Sequence, residues 1–275
     1  MKDIFDQNIS TRPFLRWAGG KTWILKHLVK VKNFQFNNYH ETFLGGGATF
    51  FFLVPQNHSY LSDLNTELVE TYQAIKENAE NVISKLSLFK NEEKFYYETR
   101  NRIFDDKYER AARFIYLNQT SFNGIHRVNL KGQYNVPYGF RKKDYINKEA
   151  IRAAGHALTN STIFSGDFYL AINNIETNDL VFLDPPYTVS HNNNGFIEYN
   201  ENIFSLNDQI RLSNMIDDIK KKGAYYILTN AAHKTIDEIF EKGDKKMELT
   251  RGNSIGGAKA QRGQTTEYLF TNIEL

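Results

Sequence analysis

Asp179-Leu180-Val181-Phe182-Leu183-Asp184-Pro185-Pro186-Tyr187 is the stretch on which the reading of this chain turns. Its apolar run is short, bulky and partly β-branched, and it stops abruptly at two prolines. That pattern predicts a buried parallel strand delivering a rigid turn at its C-terminal end. In open α/β sheets, ligands are handled at that end of the strands. The Pro185-Pro186 step restricts φ twice and removes two backbone donors, so the turn is rich in carbonyl acceptors. An acid, a rigid carbonyl and an aromatic face then lie within four residues. Such a set suits a planar ring with an exocyclic amino group. The structural alternative is a strand-ending turn with Asp184 as a cap.

Upstream, Tyr39 to Thr49 reads as strand, glycine turn and helix start, with Phe43, Gly45 and Gly47 in the turn. This layout lets a backbone approach a cofactor closely. Phe50 stands where the third glycine of a dinucleotide fingerprint would fall, so the loop is not of that type. A second short strand ends at Asp63, where an acid holds a ribose diol in sheets of this class. The two features together point to a nucleoside-bearing cofactor, and S-adenosylmethionine fits this loop better than NAD. A third strand, Thr162 to Ser165, leads to Asp167 and Phe168, which could bracket an adenine by hydrogen bonding and stacking. Nearer the N-terminus, Gly20-Lys21-Thr22 imitates the end of a phosphate-binding loop. That loop requires a glycine where this chain has Leu15, so nucleotide hydrolysis is set aside. A helix is expected over Trp23 to Val31. Lys21 at its start is disfavoured by the helix dipole and so suggests a separate task; the alternative is an exposed loop lysine.

The chain has 275 residues, enough for one large α/β domain or a domain carrying an insertion. With 41% hydrophobic residues and 14% aromatics it can fill a sizeable core. The absence of cysteine excludes disulfides, thiolate metal sites and cysteine nucleophiles. Met1 to Ser10 is polar and lacks the apolar core of a signal peptide. No run approaches the ~18 apolar residues of a membrane span, so a cytoplasmic protein is expected. The net charge of +2 makes any basic surface a local feature.

Residues 66–88 read as one or two helices, with Leu68, Val69, Tyr72 and Ile75 at helical spacing, and from about 89 to 158 the alternation of strand and helix stops, with 93–104 and 110–117 helical. The stretch 120–139 is punctuated by Gly and Asn and has hairpin character. From His126 to Lys143 it carries Arg127, Lys131, Arg141, Lys142 and Lys143 and no acid. Cations interleaved with Phe122, Tyr134 and Tyr138 suit a nucleic-acid surface, and a solvated basic face is the alternative. His126 is read as incidental. After Tyr187, the Asn-rich 188–203 is either a lid or a connector. Helices are expected over 206–222 and 233–241, a buried strand over 224–228, and a terminal hairpin of 246–250 with 266–271. The loop between these last strands holds Lys259, Arg262 and four glycines, as a phosphate grip or a mobile tip.

Taken in this order, Phe14–Lys21, Phe43–Gly47, Asp63, Phe122–Gly139, Asp167 and Asp184–Tyr187 resemble the Dam-type DNA N6-adenine methyltransferases, of the α group and D12 class. The likeness extends over roughly residues 12–275. It implies a Rossmann-like seven-stranded methyltransferase sheet, with 1–65 and 161–275 forming an S-adenosylmethionine-binding catalytic domain. An inserted, mostly helical target-recognition domain is then expected at 66–160. The resemblance also assigns roles. Trp17, Ala18, Lys21, Phe43, Gly45, Gly47, Asp63, Asp167, Phe168 and Asp184 fall on cofactor-binding positions, and Asp184, Pro185 and Tyr187 on the catalytic motif. Phe122, Asn123, Ile125, Arg127, Asn135 and Pro137 fall on the DNA-reading segment, to which the basic loop adds Lys259 and Arg262. Within that segment His126 stands where several family members have Cys or Tyr.

The expected activity is transfer of a methyl group to N6 of an adenine flipped out of duplex DNA, within GATC or another GAT-containing site. No metal is required. Two other classes remain: a methyltransferase for RNA or for cytosine N4 using the same acceptor turn, and a DNA-binding regulator without turnover. A monomer is expected, in the cytoplasm of a bacterial or phage-infected cell, with a cognate restriction enzyme acting separately if there is one.

Overall fold

The computed structural model describes residues 12–17, 19–129, 131–141, 144–187, 204–252 and 264–274. Ala18, Lys142, Lys143, Lys259, Arg262 and the loop 188–203 lie outside the described residues.

Seven strands form one sheet: β1 (Tyr39–Glu41), β2 (Ser59–Asp63), β3 (Ser161–Ser165), β4 (Leu180–Leu183), β5 (Tyr225–Ala231), β6 (Lys245–Gly252) and β7 (Gln264–Thr271). Their order is β3-β2-β1-β4-β5-β7-β6. β1 pairs parallel with both β2 and β4, and β4 pairs parallel with β5. β7 is antiparallel to both its neighbours, β5 and β6. The direction of winding reverses between β1 and β4, so Phe43 and Asp184 leave adjacent parallel strands at the switch point. β4 reads Leu180-Val181-Phe182-Leu183 because both its faces are covered, and all four residues are buried.

The helices among the described residues are α1 (Ala48–Leu53), α2 (Thr66–Leu86), α3 (Glu93–Asn101), α4 (Lys107–Thr120), α5 (Lys148–Ala157), α6 (Leu206–Lys221) and α7 (Lys234–Phe240). Side-chain caps start most of the longer ones. Asn65, Asp106 and Asn147 each accept from the backbone N–H three residues on, and Ser205 forms a reciprocal capping box with Asp208. The helix expected over Trp23 to Val31 is instead two short 3-10 turns, Leu25–His27 and Val29–Asn33. Ile24, Leu28 and Val31 are fully buried at helical spacing, but the second turn has no side-chain cap and two β-branched valines. Burial of the apolar face is satisfied there without an α-helix. The expected hairpin at 120–139 is also looser than its pattern, held by single bridges between Ser121 and Tyr138 and between Val128 and Tyr134.

The chain divides into two compact units, Met1–Leu25, Leu44–Gln56 and Ser62–Gly166 in one, and Lys26–Phe43, Asn57–Leu61 and Asp167–Leu275 in the other. The first has α2 packed against α4 and α5, with an aromatic core in which Tyr116 meets Phe89, Phe95, Tyr96 and Tyr145. The core of the second joins Val181 and Leu183 of β4 and Leu228 of β5 to Leu212, Met215, Ile216 and Ile219 of α6 and Phe240 of α7. Here helix periodicity and strand alternation meet on one buried face.

Candidate active site

In the first unit, the chain after β1 makes a tight turn in which the Gly47 N–H donates to the Leu44 carbonyl at 2.7 Å. Gly45 has φ +47, and a Cβ there would lie 2.8 Å from Cδ1 and Nε1 of Trp17. Its N–H donates to Asp63 Oδ2 at 2.9 Å, and its carbonyl accepts from the Tyr72 hydroxyl at 3.0 Å. Gly47, at φ +66, sits at the start of α1, where a Cβ would lie 2.9 Å from the Phe51 ring. Only glycine tolerates both that backbone and that proximity. Asp63 Oδ1 accepts from the Asn65 N–H at 2.9 Å. Burial pushes the Asp63 carboxyl above its ordinary pKa, against the downward pull of the Asn65, Gly45 and Leu64 N–H groups.

Trp17 completes this group. Its indole stacks on the His126 imidazole, with centroids 5.5 Å apart and planes 23° apart, and on Phe114 at 6.4 Å. His126 is therefore not incidental. It also packs edge-on to Tyr134, and the Asn65 amide lies 3.5 Å from its ring nitrogens. Burial lowers its pKa and so favours the neutral ring. The signal for this in the sequence is the density of aromatics around it, with Phe114, Phe122 and Tyr134 nearby. Lys21 is 5% exposed, not the solvated loop lysine of the alternative reading.

The same unit gathers residues 122–137 into one irregular hairpin. The Phe122 N–H donates to the Pro137 carbonyl at 2.9 Å, and Arg127 Nε donates to Asn135 Oδ1 at 2.8 Å. Asn123 adopts φ +55, a backbone that asparagine tolerates better than most residues. Phe122 is 52% and Ile125 38% exposed. Two apolar side chains and an oriented guanidinium thus face solvent from a segment whose neighbours Tyr134, Val136 and Tyr138 are buried.

In the second unit, Phe43 packs on Phe168 at 5.4 Å, and Phe204 meets both rings. Asp167 Oδ1 accepts from the Tyr169 N–H at 2.9 Å and from Arg211 Nη2 at 2.8 Å. The Arg211 guanidinium lies 4.9 Å above the centre of the Phe168 ring. Arg211 ties the acid to the aromatic, a link that no spacing in the sequence revealed. At the end of β4, Thr229 Oγ1 donates to Asp184 Oδ1 at 2.6 Å. Parallel pairing of Leu183 with Leu228 brings these next residues side by side. The Tyr187 hydroxyl donates to Glu267 Oε2 of β7. The turn Asp184–Tyr187 is thus gripped at each end by a different strand.

The sheet order, with its antiparallel β7 between β5 and β6, and the acceptor turn at the switch point define a Rossmann-like α/β methyltransferase. A family model described as D12 class N6 adenine-specific DNA methyltransferase matches residues 17–254. The chain is 35% identical over 276 residues to the type II methyltransferase M1.LlaDCHI of Lactococcus lactis subsp. cremoris, covering 96% of each. It is 33% identical over 247 residues to the type II methyltransferase M.MjaIII of Methanocaldococcus jannaschii, covering 81% of this chain and 85% of the other. With a DNA adenine methylase of Haemophilus influenzae it shares 30% identity over 248 residues, 87% of this chain and 86% of that one. The chain belongs to the D12 class of N6 adenine-specific DNA methyltransferases.

Proposed function

We propose that this DNA adenine methyltransferase takes S-adenosylmethionine as methyl donor and acts on an adenine extruded from duplex DNA, within GATC. The observation that carries the reading is the anchored acceptor turn. Asp184 is held by Thr229 beside Pro185, whose carbonyl lies in a turn that lacks the donors of two ordinary residues. The donor, when bound, supplies an electrophilic sulfonium methyl. Asp63 is suited to hold its ribose hydroxyls, because a carboxylate has acceptor capacity beyond the bonds from Gly45, Asn65 and Leu64. The glycine turn leaves backbone room beside it, with Trp17 as an aromatic wall; Ala18, Lys21 and Phe43 extend this cofactor-binding set. Asp167 and Phe168 offer an acceptor and a ring for the adenine of the donor.

For the reaction itself, the target base must leave the stack, since its N6 cannot be approached in line within a duplex. Tyr187 stacks on it. The Asp184 carboxylate and the Pro185 carbonyl accept from N6, drawing the nitrogen towards tetrahedral geometry and freeing its lone pair for the methyl. Catalysis is positioning plus acceptors aimed at the positive charge that develops on N6. Residues 66–160 form the target-recognition region of the two-part organisation. In it Arg127, oriented by Asn135, reads a guanine, while Phe122, Asn123, Ile125 and Pro137 contact bases or fill the gap. Lys259 and Arg262 grip phosphate. The enzyme works as a monomer in the cytoplasm, with any restriction enzyme acting separately.

The test is transfer of labelled methyl from S-adenosylmethionine to duplexes holding GATC, to each single-base variant, and to the same strands as RNA. Incorporation confined to GATC, lost in Asp184→Ala with DNA binding retained, is the expected result. Incorporation at another GAT-containing site refutes the specificity, and full turnover by Asp184→Ala refutes the mechanism.

A further inference from the structure

Glu267 is fully buried on β7, on the same face of the strand as the core residue Leu269. A carboxylate in such a place costs several kcal/mol unless it is paired, and an apolar residue of similar size is usually the more stable choice. Sheet packing therefore does not explain an acid here. Its observed partner does: the Tyr187 hydroxyl donates to Glu267 Oε2 across 80 residues of sequence. The β5–β7 register places Glu267 opposite Ala231, two residues beyond Thr229, the residue that holds Asp184. One end of the acceptor turn is thus tied to β5 and the other to β7.

From this we infer that Glu267 is a positioning residue for methyl transfer, acting through Tyr187. Its bond fixes where the phenol ring stands, so that the ring face is set before the base arrives. A phenol donating to a carboxylate also pushes electron density into its ring. That deepens the negative face met by an adenine acquiring positive charge. The inference rests on the reading that Tyr187 stacks on the extruded adenine.

The experiment is a double-mutant cycle of Glu267→Met and Tyr187→Phe, with Glu267→Gln as the conservative variant, in the full chain. Single-turnover methyl transfer, KM for S-adenosylmethionine and thermal melting are measured for each. Removing one partner of a buried charge-assisted bond should lower the transfer rate about 10- to 100-fold, with KM unchanged. Glu267→Gln keeps an acceptor and should fall between wild type and Glu267→Met. In the Tyr187→Phe background, Glu267→Met should cost less than it does in the wild type, because the bond between the two is already gone. An equal loss from Glu267→Met in both backgrounds, or wild-type transfer rates in Glu267→Met, overturns the proposal. Should Glu267→Met not fold, a wild-type rate in Tyr187→Phe alone overturns it, and a fall in that rate supports it. The underlying reading fails separately: 2-aminopurine at the target position would then show no fluorescence rise when wild-type enzyme binds.

Discussion

Gly45→Ala should weaken cofactor binding while leaving the protein folded. An L-residue at φ +47 costs about 1–2 kcal/mol in backbone energy. The new methyl group would also lie 2.8 Å from the Trp17 indole, which must retreat by several tenths of an ångström. His126 and Phe114 back that indole, so its retreat disturbs stacking of the order of 0.5–1.5 kcal/mol per aromatic pair. The combined effect is about 2–3 kcal/mol, shared between global stability and the turn whose N–H donates to Asp63. Gly132→Ala is the control: Gly132 has φ +74 but nothing within 4 Å of its added Cβ. Calorimetric titration with S-adenosylmethionine should show Kd raised roughly tenfold or more for Gly45→Ala. It should be unchanged for Gly132→Ala, and both Tm values should fall. A wild-type Kd in Gly45→Ala would refute the role given to the glycine turn.

Donor affinity should fall with decreasing pH, at a higher pH than an ordinary aspartate would give. Burial raises the folded-state pKa of Asp63, so the ionised form costs stability at neutral pH, and that cost is relieved as pH falls through the raised value. The protonated group is the poorer acceptor for ribose hydroxyls, and Asp63→Asn should remove this step from titrations of Kd against pH. Arg127→Ala should relax discrimination at one base pair by about 1–3 kcal/mol in competition assays; uniform weakening on all sequences would mark a phosphate contact instead. The buried Asp179 accepts from His40 Nε2 at 2.8 Å and from the N–H groups of Asn38 and Glu176. Burial works to raise its pKa, but these bonds bring it below the usual value, so its stabilisation is present above the unfolded pKa and is lost as pH falls through the folded one. Asp179→Ala should therefore cost about 3–5 kcal/mol in urea unfolding at neutral pH, with the difference shrinking in acid.

The strand ending at Asp184 was legible in the sequence because a doubly covered strand must be apolar throughout and prolines must end it. Gly45 and Gly47 were legible because their conformations admit few other residues, and Asp63 because it ends a short strand. The first helix was misplaced since apolar spacing at Ile24, Leu28 and Val31 reports burial and not the pitch of the backbone. His126, Arg211, Thr229 and Glu267 escaped for another reason. Each meets at least one partner 40 or more residues away, as His126 meets Trp17, Arg211 meets Asp167 and Thr229 meets Asp184. Side-chain partnerships of that reach depend on register, which local pattern does not encode.

β7 lies between β5 and β6 although it follows both in the chain. Its residues Glu267 to Thr271 must be synthesised and threaded antiparallel into that gap before Tyr187 has its carboxylate partner. β7 follows the other described strands in sequence, so in a chain that emerges from its N-terminus its pairing with β5 comes after theirs. A nascent chain therefore carries the acceptor turn well before it carries the strand that tethers it. With Glu267 in the positioning role proposed for it, methyl transfer should reach its full rate only once β7 has paired with β5.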